Sequence, residues 1–258
     1  MNLFKRINES KIIFRIGEIF IFGFEALLNI FKKPFEKKEI LKQMYEIGVS
    51  SLPVVSLTSL FTGMVFSLQT YLGFKKLGAE VYSASVMGVS LAKELVPVLV
   101  GLMVAGRVGA AIAAELGTMK VTEQIDALFT MGTDPVKFLA SPRLTAAAIM
   151  LPVLVIYGDI IGLSGAYIVD VLIMGMNYNN FYDTLMVHFE VWDIITGLIK
   201  AFSFGIIIAS VSSYYGMKTE GGAEGVGKAT TFAVVTSSVV ILIADFVWGK
   251  ILPFTLKG

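Results

Sequence analysis

Cysteine is absent from the 258 residues, and histidine occurs once, as His188. The first absence excludes disulfides, thiolate metal sites and cysteine nucleophiles, and says little about compartment. A lone histidine cannot assemble a metal site by itself, so no metal is expected on this chain. Charge is scarce as well, at 16% of residues against 55% hydrophobic, with a mean hydropathy of +0.77. Soluble domains carry about a quarter charged residues, so the composition points to a membrane protein. A net charge of +1 leaves no strongly basic face for nucleic acid. There is no phosphate loop of the GxxxxGKS/T type, so ATP cannot be hydrolysed by a P-loop on this chain. Neither a GxSxG elbow nor an HExxH pair is found. The glycine-rich GGAEGVGK at 221–228 lacks the Lys-Ser/Thr ending and is expected to be a hinge.

What the chain has in abundance is long apolar runs. Five spans are expected, at about 49–72, 84–114, 144–173, 194–215 and 229–253. Each supplies the roughly 20 apolar-rich residues needed to cross about 30 Å of hydrocarbon. They form a membrane domain over 49–258, preceded by an N-terminal segment, 1–48. In that segment Lys11, Arg15, Glu18, Glu25 and Asn29 fall on one helical stripe, with Ile12, Ile16, Ile19, Phe20, Leu27 and Phe31 around the remainder. Such an amphipathic helix is expected to lie in the membrane interface, and a sixth crossing is the weaker reading. Fifteen Lys and Arg fall on the side that holds the N-terminus and four on the other. The N-terminus is therefore expected in the cytoplasm and the C-terminus outside.

Between spans two and three lies the polar stretch Glu115 to Arg143, far longer than a simple connection requires. Val121 to Met131 is expected to form a short amphipathic helix, with Val121, Ile125 and Leu128 on one side, closed by Gly132. Asp134-Pro135 and Ser141-Pro142 each suggest an N-cap followed by proline at the first helical position. On spacing alone, a solvated connector and a helix pushed by a soluble motor are equally good readings. In span two, Gly101, Ala105, Gly109, Ala113 and Gly117 recur at every fourth position, with Gly106, Ala110 and Ala114 beside them. This small-residue stripe admits a closely packed helix, from the same subunit or from a second copy.

The connector and its flanks carry Ala105-Gly106-Arg107, Ala114-Glu115-Leu116-Gly117-Thr118-Met119, Thr122 to Leu128 (TEQIDAL), Asp134-Pro135-Val136 and Pro142-Arg143. GMVFSLQTYL (63–72), KELVPV (93–98), GVGKATTFAVV (225–235) and Ala244-Asp245-Phe246 extend the pattern. Over roughly residues 50–250 the chain resembles the MlaE/YrbE family, the permease subunits of ABC-type lipid transporters. Phe129 departs from the pattern, many members having a charged or polar residue there. The resemblance implies an all-α integral membrane protein of the cytoplasmic (inner) membrane, with an interfacial N-terminal helix, five transmembrane helices and a cytoplasmic coupling helix between spans two and three. It implies a non-catalytic subunit with no cofactor of its own, ATP and Mg being held by a separate ABC ATPase. Further implied partners are a second copy of the chain, an MCE-domain periplasmic protein, in some systems a small STAS-domain subunit, and phospholipid in an outward-open pocket at the homodimer interface. ATPase coupling would fall to Glu115, Met119, Thr122, Glu123, Gln124, Asp126 and Leu128.

Ionisable residues inside spans are costly and so are functional candidates. Lys93, Glu94, Lys200 and Asp245 lie roughly 9–15 Å below the outer span ends at 1.5 Å per residue, as one expected layer. An ion-pair network locking the bundle and a band that contacts a lipid head group are both open readings. Within the layer, Glu94 is expected to serve mainly stability, and Lys200 and Asp245 transport. Residues 93 and 94 point about 100° apart and cannot share one partner on one face. Asp159 is a weaker candidate for the same layer. Phe66, Gly73, Phe74 and Leu77 lie on one helical face of span one, extending toward the outer surface. In the resembling family that span lines the lipid pocket. A stand-alone secondary transporter is the alternative, weakened by an odd number of spans and no evident repeat. An intramembrane lipid enzyme lacks a nucleophile and base in reach of each other.

Overall fold

The computed structural model describes residues 2–30 and 37–256, without the side chains of 2–13, 16 and 253–256. The described residues contain helices and no strands. Five helical segments are long and apolar enough to cross a membrane: Lys37–Lys75, Glu80–Val121, Val136–Ile173, Val191–Met217 and Gly222–Leu252. Each contains or overlaps one expected span, and all extend beyond the limits read from hydropathy. The extra length has a local cause. Polar residues such as Lys37 to Lys42 and Glu115 to Lys120 continue helices beyond the apolar stretch.

Helix α1 is Asn2–Ile30, α2 is Lys37–Ile47 and α3 is Leu52–Lys75. The second span is interrupted. It comprises α4 (Ser83–Ser90), a π turn at Leu91–Leu95, α5 (Val96–Val104), a second π turn at Ala105–Gly109, and α6 (Ala110–Val121). Pro97 has no N–H to return to the carbonyl of Lys93, and the Val96 N–H reaches the Leu91 carbonyl, five residues back. The wide turn follows from that missing donor. Next come α7 (Gln124–Thr130), a π turn at Val136–Ala140, α8 (Ser141–Tyr167), a further π turn at Ile168–Ile173, α9 (Tyr178–His188), α10 (Val191–Met217) and α11 (Gly222–Leu256).

The bundle is centred on α8 and α10. Helix α3 packs on α8, while α10 packs on α8, α6 and α11. Small residues set these distances. A Cβ at Gly63 would meet the Gly162 carbonyl at 2.0 Å, and one at Gly205 would meet the Ala147 carbonyl at 2.5 Å. Backbones therefore touch where any larger residue would force the helices apart. The span-two stripe is used within the chain: Gly101 faces Phe204, Gly109 faces Ser212 and Gly117 faces Thr219. Ala105 and Ala113 are fully buried between them. Its neighbour is α10, assisted by Ile241 and Val226 of α11.

Helix α1 lies against α10 and α8. Glu18 accepts from Tyr214 Oη and Lys218 Nζ, both at 2.6 Å. Asn29 Nδ2 donates to Asp134 Oδ2 at 3.3 Å, and the Ala26 carbonyl accepts from Ser141 Oγ at 2.9 Å. Lys218 follows the fourth span and Asp134 precedes the third, so these anchors share one face of the bundle. The polar stripe expected on this helix is used in part against the protein. Glu18 and Asn29 of the expected polar stripe turn to the protein, while Phe14, Phe20, Ile21, Phe24 and Leu28 are exposed. The side chains of Lys11, Ile12 and Ile16, and the whole of Phe31, lie outside the described residues.

Candidate functional site

The four intramembrane charges resolve into two groups by pairing. The π turn at Leu91–Leu95 sends its two charges apart. Lys93 Nζ pairs with Asp193 Oδ1 at 2.6 Å, near the start of α10. Glu94 Oε2 takes a hydrogen bond from Lys200 Nζ at 2.5 Å. Lys200 also contacts Asp245 Oδ1 at 2.9 Å, off the hydrogen-bond axis, so the second contact is one of charge. Its side chain has no exposed surface, whereas that of Glu94 is about half exposed. Helix α10 therefore contributes a buried ammonium held by carboxylates from the second span and from α11. Inside a bundle such pairs tolerate little rearrangement, because a lone buried charge is costly. Directly below, Ser203 Oγ donates to the Lys200 carbonyl at 2.7 Å and accepts from Trp248 Nε1 at 3.0 Å.

Asp193, Ser203 and Trp248 were not among the residues expected to act here. Asp193 had a legible signal: Glu190 and Asp193 stand three apart before an apolar run, a spacing suited to a capping box. Asp193 Oδ2 accepts from the Glu190 N–H at 2.9 Å, leaving Oδ1 for Lys93. Asp159 does not join the cluster. It is buried without an ion pair among the described residues, and its Oδ1 has no hydrogen-bond partner. Asp170, in the π turn at Ile168–Ile173, is fully buried and receives a hydrogen bond from Ser67 at 2.5 Å. That pair joins α8 to α3.

On α3, Phe66 is half-buried against the core, Gly73 is open and Phe74 is half-buried. Leu77 is corrected: α3 ends at Lys75, so Leu77 lies in the following turn, 79% exposed, and does not continue the helical face. The turn closes there because Gly78 takes a positive φ of 67°.

The connector is more rigid than its polarity suggests. Its first and last residues are joined, Arg143 Nη2 to Glu115 Oε2 at 2.8 Å, and Arg143 is buried. A second arginine, Arg107, donates to the Glu46 carbonyl at 2.8 Å. The expected helix Val121–Met131 is split. Helix α6 runs through Val121, and α7 begins at Gln124 after Glu123 adopts a left-handed φ of 62°. Lys120 Nζ grips both carboxylate oxygens of Asp126, at 2.7 and 3.0 Å, folding α7 back on α6. Ile125 is buried, while Leu128 and Met119 pack against the core. Thr122, Glu123, Gln124 and Asp126 are exposed, as are Phe129 and Met131. Asp134 accepts from the Val136 N–H at 2.9 Å, as an N-cap should. Ser141 does not cap: the helix continues through it, and its Oγ donates to Ala26 and Val136 carbonyls.

On the connector side of the bundle, the Lys218 ammonium and the Tyr214 hydroxyl hold the Glu18 carboxyl below its ordinary range. Glu18 in turn raises Lys218. The pair is therefore charged at neutral pH and anchors α1 to the end of α10.

Five closely packed spans, a buried ion triad on one side and a braced, exposed connector on the other define a polytopic α-helical membrane protein. Residues 40–251 match the family described as Permease MlaE, and the chain belongs to that family. It is 47% identical over 237 residues to a probable ABC transporter permease protein of Rickettsia typhi, covering 92% of each chain. It is 38% identical to the chloroplastic protein trigalactosyldiacylglycerol 1 of Arabidopsis thaliana, covering 95% of this chain and 70% of that one. With the intermembrane phospholipid transport system permease protein MlaE of Haemophilus influenzae it shares 36% identity, covering 87% and 88%. The chain is accordingly an integral membrane permease subunit of the ABC-transporter class.

Proposed function

We propose that this chain is the membrane subunit of an ATP-driven phospholipid transporter, working as a homodimer with two copies of a separate ABC ATPase. The N-terminus and the α7 connector are cytoplasmic, and the α9 side and the C-terminus face outward, in accord with the excess of Lys and Arg on the connector side. The observation that carries the reading is the connector itself. It is stapled at its ends by Glu115 and Arg143 and seated by Ile125, yet it presents Thr122, Glu123, Gln124 and Asp126 to solvent. A loop with no partner has no need of such bracing. A lever pushed by another subunit has, because a soft connector would absorb the motion. ATP and Mg belong to the ATPase. An MCE-domain protein receives or supplies the lipid, and a STAS-domain subunit is a further partner.

The lipid pocket is outward-open and lies where α3 and the outer cluster meet a second copy. Phe66, Gly73 and Phe74 meet the acyl chains, and half-exposed Glu94 with Lys93 meets the head group, while Lys200 and Asp245 set the position of Glu94. The name of the Haemophilus relative, an intermembrane phospholipid transport permease, supports this substrate class. Membership of the family removes the reason for the stand-alone transporter. In reconstituted complexes, Glu123→Lys should abolish lipid-stimulated ATP turnover with the membrane subunit still folded, since a reversed charge at a docked face costs several kcal/mol. Normal assembly and turnover by this variant would leave α7 as a mere connector.

A further inference from the structure

A trough bounded by α1, α10 and α11 runs from the connector side toward the middle of the membrane. Its deeper half is a cavity of about 290 Å³ with an apolar wall that includes Phe20, Phe24, Leu27, Ile207 and Val240. Its outer half, about 360 Å³, is polar and includes Arg15, Glu18, Lys218, Glu220 and Lys228. The halves follow each other along the same three helices: on α11, Lys228 and Phe232 line the polar end, then Thr236 and Val240 the apolar end. From Lys228 to Val240 the helix rises about 18 Å. Ser210 Oγ, buried and without a hydrogen-bond partner, lines the deep half beneath Gly23. A Cβ at Gly23 would stand 2.9 Å from that oxygen, so glycine is what lets α1 close over α10.

The shape is polar at one end and apolar along its length, which matches an amphiphile with one acyl chain inserted. The polar end carries both signs of charge. Glu18 and Lys218 are satisfied by each other, and Lys228 pairs with Glu224 at 2.6 Å with two ammonium hydrogens left over, while Arg15, Lys228 and Glu220 are all exposed at the mouth. A phosphate can be met by the two cations, and an ammonium by the carboxylate, so the complement is a zwitterionic phospholipid. Lys200 lies ten residues from Ser210 on α10, about 15 Å further across the membrane. We propose that the trough holds one phospholipid from the leaflet on the connector side, its acyl chain against Phe24, Ile207 and Val240 and its head group at Arg15, Glu220 and Lys228. This second lipid site is separate from the outer pocket and ties α1 to the bundle.

The test places the full-length protein in vesicles of phosphatidylethanolamine and phosphatidylglycerol containing a trace of phosphatidylethanolamine with a photoreactive acyl chain. Irradiation and peptide mapping should give adducts at Ile207, Thr236 and Val240 in excess over Val235, Val239 and Ile243, which are exposed elsewhere on α11. Val240→Trp fills the trough and should remove those adducts. Arg15→Glu with Lys228→Glu, at exposed positions, should weaken them without unfolding the bundle. Equal labelling of trough and outer face, the signature of unselective bilayer lipid, overturns the proposal, as does a trough signal that survives Val240→Trp. The wild-type pattern decides alone if that variant does not fold. Adducts at Phe66 and Phe74 in the same digest report the outer pocket independently, so loss of one site leaves the other reading intact.

Discussion

A lysine ammonium with no exposed surface, held between carboxylates from two other helices, is stable only while its partners remain. Lys200→Gln leaves Glu94 and Asp245 facing each other, and its cost should be about 3–5 kcal/mol, read as a lowered melting temperature in detergent. Glu94→Gln leaves Lys200 with Asp245 and removes a half-exposed carboxylate, so its cost should be about 1 kcal/mol or less while lipid transfer falls. This reverses the roles suggested by sequence, where burial could not be seen. Equal melting of Lys200→Gln and the wild type would remove the triad from the account. Depth along each span was legible, because 1.5 Å per residue locates Lys93, Glu94, Lys200 and Asp245 without coordinates. Pairing was not. The choice of Asp193 for Lys93 depends on the π turn and on where α10 begins, and the Ser67–Asp170 bond depends on how α3 crosses α8.

At the scale of elements, the span-two stripe was visible as a pattern, yet its neighbour was not. Spacing states that a face is small without stating what approaches it. The structure assigns that face to α10, and two glycines three residues apart give contrasting expectations. A Cβ at Gly109 would lie 2.9 Å from Ser212 Oγ, whereas one at Gly106 meets nothing within 4 Å. Gly109→Leu should therefore destabilise by about 1–3 kcal/mol or more through overpacking. Gly106→Ala should be neutral or gain up to about 1 kcal/mol from helix propensity. Comparable thermal melting of the two variants would contradict the packing described. The connector shows the same limit. Its amphipathic pattern was correct for Ile125 and Leu128, but the break at Glu123 was hidden, since glutamate carries no turn signal and the left-handed residue is fixed by the Lys120–Asp126 clamp.

At the scale of the whole molecule, five spans followed from composition and periodicity, because a bilayer leaves helices as the compact answer to long apolar segments. Orientation rests on the charge bias, and labelling can test it. A cysteine at Asn179, exposed at the start of α9, should react with an impermeant thiol reagent added outside. One at Glu220 should react only once the inner face is opened. The native chain has no cysteine to confuse the outcome. Reversed labelling would place the connector outside, away from any ATPase. The most direct test of the account is affinity purification of the full-length protein in mild detergent, with Glu123→Lys beside it, followed by mass spectrometry of bound subunits and lipids. The wild type should bring down an ATPase subunit and phospholipid, and the variant phospholipid alone. A wild-type protein that purifies without any nucleotide-hydrolysing subunit, or a variant that retains it in full, would contradict the coupling mechanism.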